Sequence, residues 1–102
     1  MKSHPSPFSC ASMQAALKAR RDSLGKQTEP RHYINEVSLL RFALTGNSKA
    51  KYDLANPPAG RKRITRRVIC TNRRLITEHV AFHLRKQACR ELVLKYEARL
   101  LK

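Results

Sequence analysis

The sequence predicts an all-α protein, a small bundle of three or four helices with a long C-terminal helix and a flexible N-terminus. Apolar residues recur at helical spacing along most of the chain, and Gly and Pro separate these stretches. The region from about Asn72 or Thr77 to Leu101 lacks both Gly and Pro and is rich in residues that favour helix. With 102 residues, the chain has room for one domain.

The N-terminal part begins with residues 1–8 (MKSHPSPF), where two prolines among small polar residues predict a disordered lead-in. Residues 9–102 are predicted to form a single helical domain. The first helix starts from Ser9 or Ser12, either of which suits an N-cap, and ends near Gly25, which suits a C-terminal cap.

The second helix is the next element along the chain. Pro30 suits its first turn, and Gly46 suits its end. Its apolar face is formed by Tyr33, Ile34, Val37, Leu40 and Leu44. After it, residues 48–54 are compatible with a short helix, and the sequence ANPPAGR at residues 55–61 predicts an exposed Pro-rich loop.

The segment 64–70 (ITRRVIC) is ambiguous between strand and helix, because its β-branched residues favour a strand. Helix is favoured, since Ile64, Val68 and Leu75 then share one apolar stripe.

The long C-terminal helix carries two apolar stripes on different faces. One contains Ala81, Leu84, Ala88 and Leu92, and the other contains Leu75, Phe82, Cys89, Val93 and Leu100. Such a helix either lies at the centre of the bundle or uses one stripe as an interface for a protein partner or a second copy of the chain. The second stripe is the candidate interface. Glu91 and Lys95 have the spacing of an i,i+4 ion pair.

The net charge of +15 predicts a polyanionic partner and excludes proteins that imitate nucleic acid with acidic side chains. The positive charge is densest in a segment that has no acidic residue from position 54 to position 77. Its basic residues are Arg61, Lys62, Arg63, Arg66, Arg67, Arg73 and Arg74. Arginine grips phosphate with two hydrogen bonds, and each neutralised phosphate releases counterions. The segment therefore predicts binding to phosphates.

These features lead us to expect a non-catalytic DNA- or RNA-binding protein, such as a small regulator, that contacts duplex or structured nucleic acid. Two alternatives fit the same charge. One is an adaptor or inhibitor that binds a larger protein or nucleoprotein machine through the two-striped helix, and the other is a structural component of a ribonucleoprotein particle. A helix-turn-helix with its turn near Cys70 to Asn72 fits poorly, because the turn lacks Gly and the following helix is too long.

Enzymatic chemistry is not expected, since the seven acidic residues are scattered and only three glycines are present. His79 and His83 have the spacing of two helical metal ligands, but Cys89 would point elsewhere, so neither a metal site nor a cofactor is predicted. Without a long apolar run, the chain is expected to be cytoplasmic and not associated with a membrane. Residues 1–21 also have the composition of a mitochondrial presequence, which is the alternative localisation.

Overall fold

A computed structural model describes residues 9–100, and within them the chain forms four helices and no strand. The helices are α1 (Cys10–Ser23), α2 (Pro30–Thr45), α3 (Lys62–Thr77) and α4 (Phe82–Leu100). The predicted all-α fold is confirmed. The disorder predicted for residues 1–8 concerns a segment that lies outside the described residues.

The ends of α1 and α2 follow from local residue chemistry. The Ser9 side chain accepts a hydrogen bond from the Ser12 backbone N–H at 3.2 Å, as an N-cap does. Gly25 follows α1 with φ +70°, and Gly46 ends α2 with φ +81°, a left-handed conformation that glycine adopts without steric cost. Pro30 occupies the first turn of α2, as predicted.

The segment between α2 and α3 contains no helix, so the short helix considered for residues 48–54 is wrong. Here the chain places Tyr52 in the core, where its hydroxyl lies 2.6 Å from the hydroxyl of Thr65. A carboxylate oxygen of Asp53 accepts the backbone N–H groups of Asn56 and Ala55, and these two hydrogen bonds lower the pKa of Asp53. Tertiary contact and local turn bonds thus replace the helix.

Residues 64–70 lie within α3, which settles the ambiguity between strand and helix. The buried face of α3 consists of Ile64, Thr65, Val68, Ile69, Asn72 and Ile76. Packing of these residues overrides the β-branched preference for strand, because they fall on one side of a helix.

The predicted C-terminal helix of some 25 residues is wrong in extent, since the chain turns between α3 and α4. His79 adopts φ +65° and donates its backbone N–H to the Ile76 carbonyl at 3.1 Å. The Val80 N–H donates to the Leu75 carbonyl at 3.0 Å. Together, the two bonds form the pattern that commonly ends a helix, and His79 occupies the position that glycine usually holds in it. The turn is held from α4, because Arg85 donates from Nε to the Val80 carbonyl at 3.0 Å.

The core lies between all four helices. α1 packs mainly on α3, α2 packs on α4, and α3 and α4 contact each other. Buried apolar residues at this centre are Met13, Leu17, Leu39, Leu40, Ala43, Leu44, Tyr52, Ile64, Val68, Ile69, Ile76, Cys89 and Val93. Across residues 9–100, the helices are all too short or too polar to span a bilayer.

A buried polar cluster joins three of the helices inside this core. Glu36 of α2 forms a bidentate ion pair with Arg85 of α4, in which one bond joins Arg85 Nη2 to Glu36 Oε2 at 3.1 Å and the other joins Nη1 to Oε1. Asn72 of α3 donates to Glu36 Oε1 at 3.0 Å and accepts from Arg85 Nη1 at 3.0 Å. The Asn72 amide also lies 3.2 Å from the sulfur of Met13 in α1. This cluster fixes the position of α3, which carries the basic segment.

Candidate nucleic-acid interface

The exposed side of α3 is almost entirely basic. At about 100° per residue, the six residues of its buried face occupy an arc of about 140°. The basic residues from Lys62 to Arg74 fill an opposite arc of about the same width. This arrangement makes α3 the most strongly amphipathic of the four helices. Over the twelve steps of about 1.5 Å from Lys62 to Arg74, the basic arc extends along about 18 Å of helix axis.

Four of the predicted site residues form an exposed group that we call the α3 basic face: Lys62, Arg63, Arg66 and Arg67. Within residues 9–100, none of these side chains makes an ion pair or a hydrogen bond. The charges are therefore uncompensated and open to an external anion. An open depression of about 590 Å³ lies on this face and is completed by Cys70 and Thr71.

Of the other three predicted site residues, two have partners within the protein and the third is partly buried. Arg61 donates from Nη2 to the Leu44 carbonyl at 2.7 Å, where it satisfies the carboxyl end of α2. Arg74 pairs with Glu78 at 3.0 Å on the surface. Arg73 is partly buried, and its Nε has no hydrogen-bond partner. These three arginines are thus less available for phosphate than the four of the α3 basic face.

Two basic residues that were not predicted as part of the site lie beside the α3 basic face. A groove of about 310 Å³ separates the start of α3 from the end of α4 and is lined by Arg63, Ile64, Arg67, Leu92, Lys95, Tyr96, Arg99 and Leu100. Lys95 and Arg99 are exposed, and the ion pair expected between Lys95 and Glu91 does not form within the described residues. We call this recess the α3/α4 groove. It extends the positive surface onto a second helix.

The residues that line the groove also show the relative direction of α3 and α4. Because the start of α3 lies against the end of α4, the helices run antiparallel as a hairpin. A helix-turn-helix motif joins its helices at about 90–120°. The turn considered near residues 70–72 is also absent, since α3 continues to Thr77. Both findings contradict the helix-turn-helix alternative.

The predicted protein interface on the long helix is not a continuous surface. Cys89 and Val93 are fully buried in the core, whereas Phe82 and Leu100 are 39% and 65% exposed. Leu75 is half-buried and lies on α3, before the turn at His79. Helical spacing does not apply across that turn, and the buried face of α4 packs against the other helices. The stripe therefore does not form the interface that was predicted.

The three residues of the buried polar cluster were also missed, although the sequence contains a signal for each of them. Glu36 lies four residues before Leu40, Asn72 lies four residues after Val68, and Arg85 lies four residues before Cys89. Each polar residue thus occupies a position within a buried helical stripe. A polar residue at such a position indicates a buried partner.

Burial also determines the protonation state of two cysteine thiols. Desolvation raises the pKa of Cys89 to about 12 and raises the pKa of the partly buried Cys10. High pKa values favour the thiol, which is a poor nucleophile and a poor metal ligand. His79 and His83 lie in the turn and in α4, respectively, so they do not share one helical face.

Comparisons of this chain with protein families, with curated proteins and with solved structures found no significant match.

Proposed function

We propose that this protein is a non-catalytic nucleic-acid-binding protein that contacts the phosphates of duplex or structured DNA or RNA through the α3 basic face. The observation that supports the proposal most directly is the exposure of four basic side chains on one helix face, with no acidic partner among residues 9–100. Lys95 and Arg99 enlarge the same surface.

The dimensions of the surface suit a nucleic-acid backbone. The α3 basic face spans five helical steps from Lys62 to Arg67, or about 7.5 Å, which corresponds to about two base pairs of B-form duplex at 3.4 Å per step. Arginine predominates in the α3 basic face and can form two hydrogen bonds with one phosphate. Contacts of this kind position a protein on the backbone and carry little sequence information. We therefore propose that the α3 basic face binds nucleic acid with little preference for base sequence.

Salt dependence provides a quantitative test. Each phosphate contact contributes about −0.9 to the slope of log affinity against log salt concentration, so four to six contacts predict a slope of about −4 to −5. Binding of fluorescent duplexes is measured by anisotropy over a range of salt concentrations. A triple variant, Arg63→Gln with Arg66→Gln and Arg67→Gln, is expected to reduce the steepness of the slope by about 3.

A matched control removes the same amount of charge outside α3. Lys26, Lys49 and Lys51 are exposed, and their joint replacement by Gln lowers the net charge by three, as in the α3 variant. The control is expected to retain most of the affinity. Equal losses in the two triple variants would show that total charge, and not the α3 basic face, determines binding.

The adaptor alternative is tested by capture of partners from lysate with and without nuclease. The proposal predicts that nuclease removes most partners of the wild type, and that the α3 triple variant captures few of them in either condition. Capture of the same proteins by both forms after nuclease treatment would contradict the proposal.

A further inference from the structure

We propose that the α3/α4 groove holds one unpaired nucleotide of a structured nucleic acid, with the base against Tyr96 and the flanking phosphates on the surrounding cations. This inference rests on the proposed function and adds to it the structural feature of the nucleic acid that the surface prefers. An unpaired nucleotide flanked by paired segments, as in a bulge, fits both the groove and the open α3 basic face.

The shape of the groove differs from the rest of the basic surface. Its volume of about 310 Å³ is near the lower end of the range for small-ligand sites, which is about 300–1,000 Å³. Ile64, Leu92 and Leu100 contribute apolar surface. Tyr96 is half-buried and packs against the core, so its ring is held in place. An aromatic ring beside apolar side chains is suited to stacking with any of the bases, whatever its identity.

The charges around the groove suit the phosphates on either side of that base. Arg63 and Arg67 line it from α3, and Lys95 and Arg99 line it from α4. No acidic residue lines the groove, and the four cations make no ion pair within residues 9–100. A base inside a duplex is stacked between its neighbours and does not reach such a recess. An unpaired base enters it without the cost of unpairing.

The pattern of apolar residues favours a nucleotide over an acidic peptide. A helical peptide that docks on a protein uses apolar anchors at intervals of three or four residues along a groove. The exposed arc of α3 offers mainly cations along its length, with Cys70 and Thr71 between them. Apolar surface is concentrated at the α3/α4 groove. One apolar recess beside a row of cations matches one base beside a phosphate backbone.

A single fluorescent residue tests whether a base enters the groove. The chain contains no tryptophan, so Tyr96→Trp places a unique reporter there. The protein is titrated with a short, fully paired duplex and with the same duplex containing one unpaired adenosine, each as RNA and as DNA. The bulged duplex is expected to bind more tightly and to quench the tryptophan, whereas the paired duplex is expected to leave its emission nearly unchanged.

Variants of Tyr96 separate stacking from charge. Tyr96→Phe retains an aromatic ring and is expected to preserve the preference for the bulged duplex. Tyr96→Leu removes the ring and is expected to lower affinity for the bulged duplex by about fivefold to a hundredfold, with little effect on the paired duplex. Lys95→Gln combined with Arg99→Gln changes exposed residues only, so it tests the groove without altering the core. It is expected to weaken the preference, whereas Lys49→Gln with Lys51→Gln is not.

The outcomes distinguish this inference from the proposed function. Equal affinity for paired and bulged duplexes, with unchanged tryptophan emission at saturation, would overturn the inference and leave the salt-dependent binding of the α3 basic face in place. Failure to bind any of the four nucleic acids would overturn both. Tighter binding of a peptide rich in Glu and Leu, with quenching that nucleic acid does not reverse, would also overturn the inference.

Discussion

Replacement of Glu36 by Gln is expected to destabilise the fold strongly, because it removes the counter-charge of a buried arginine. Glu36 is 3% exposed and Arg85 is 6% exposed, so water does not screen the charge that remains. The Gln side chain has a similar shape, but it accepts with one oxygen where the carboxylate accepts with two. The mutation therefore isolates an electrostatic effect from a change in packing.

The magnitude follows from the burial of the pair. Breaking a buried ion pair by removing one partner costs about 3–5 kcal/mol. Domains of this size are stable by about 5–15 kcal/mol, so the loss is a large fraction of the total. A loss of about 3 kcal/mol corresponds to a decrease of about 12–24 °C in Tm and of about 1–3 M in the urea midpoint.

The assay is urea unfolding followed by circular dichroism at the helical band. Glu78→Gln is a matched control, since it removes the acidic partner of exposed Arg74 and is expected to cost less than about 1 kcal/mol. A further variant combines Glu36→Leu, Asn72→Leu and Arg85→Met, which replaces the whole cluster by apolar residues. Its stability is expected to exceed that of Glu36→Gln, because no buried charge remains unpaired.

A result within about 1 kcal/mol of the wild type for Glu36→Gln would refute this reasoning, because it would imply that Arg85 reaches water when its partner is removed.

Other predictions concern the helix ends and the core. His79→Gly is expected to raise the free energy of unfolding by about 0.5–1 kcal/mol in urea titrations, since relief of left-handed strain at φ +65° outweighs the destabilising entropy that glycine adds to the unfolded chain. Ser9→Ala is expected to lower it by about 1 kcal/mol through loss of the N-cap of α1, and an unchanged urea midpoint would contradict that role. The pKa of Cys89 rises from 9.0 to about 12 on folding, so the folded state retains a proton that the unfolded state releases. The contribution of this thiol to the free energy of unfolding is therefore fully present below pH 9, and it is lost as pH rises toward 12. Unfolding measured across that window is expected to show a shallower decline for Cys89→Ala than for the wild type.

Local chemistry made much of the fold predictable. Ser9, Pro30 and Gly46 mark helix ends through hydrogen bonds and backbone angles that depend on a few neighbouring residues. The helical fold class follows from apolar spacing, which is also a property of short segments. The concentration of positive charge in one segment was equally visible, because it depends on composition alone.

The turn between α3 and α4 was not predictable by the same rules. It lacks Gly and Pro, and His79 takes the left-handed position. The turn lets Arg85 reach both the Val80 carbonyl and Glu36, and Glu36 lies 49 residues away along the sequence. Local propensity favours a continuous helix, and the buried ion pair favours the break.

The sequence by itself determined that the chain is helical, where α1 and α2 begin and end, and that its basic residues concentrate on the segment that forms α3. These properties depend on residues that are near one another along the chain. Only the tertiary structure decided which cations are free, since the partners of Arg61 and Arg74 are visible only as contacts. It also brought Lys95, Tyr96 and Arg99 beside Arg63, because antiparallel packing joins the start of α3 to the end of α4.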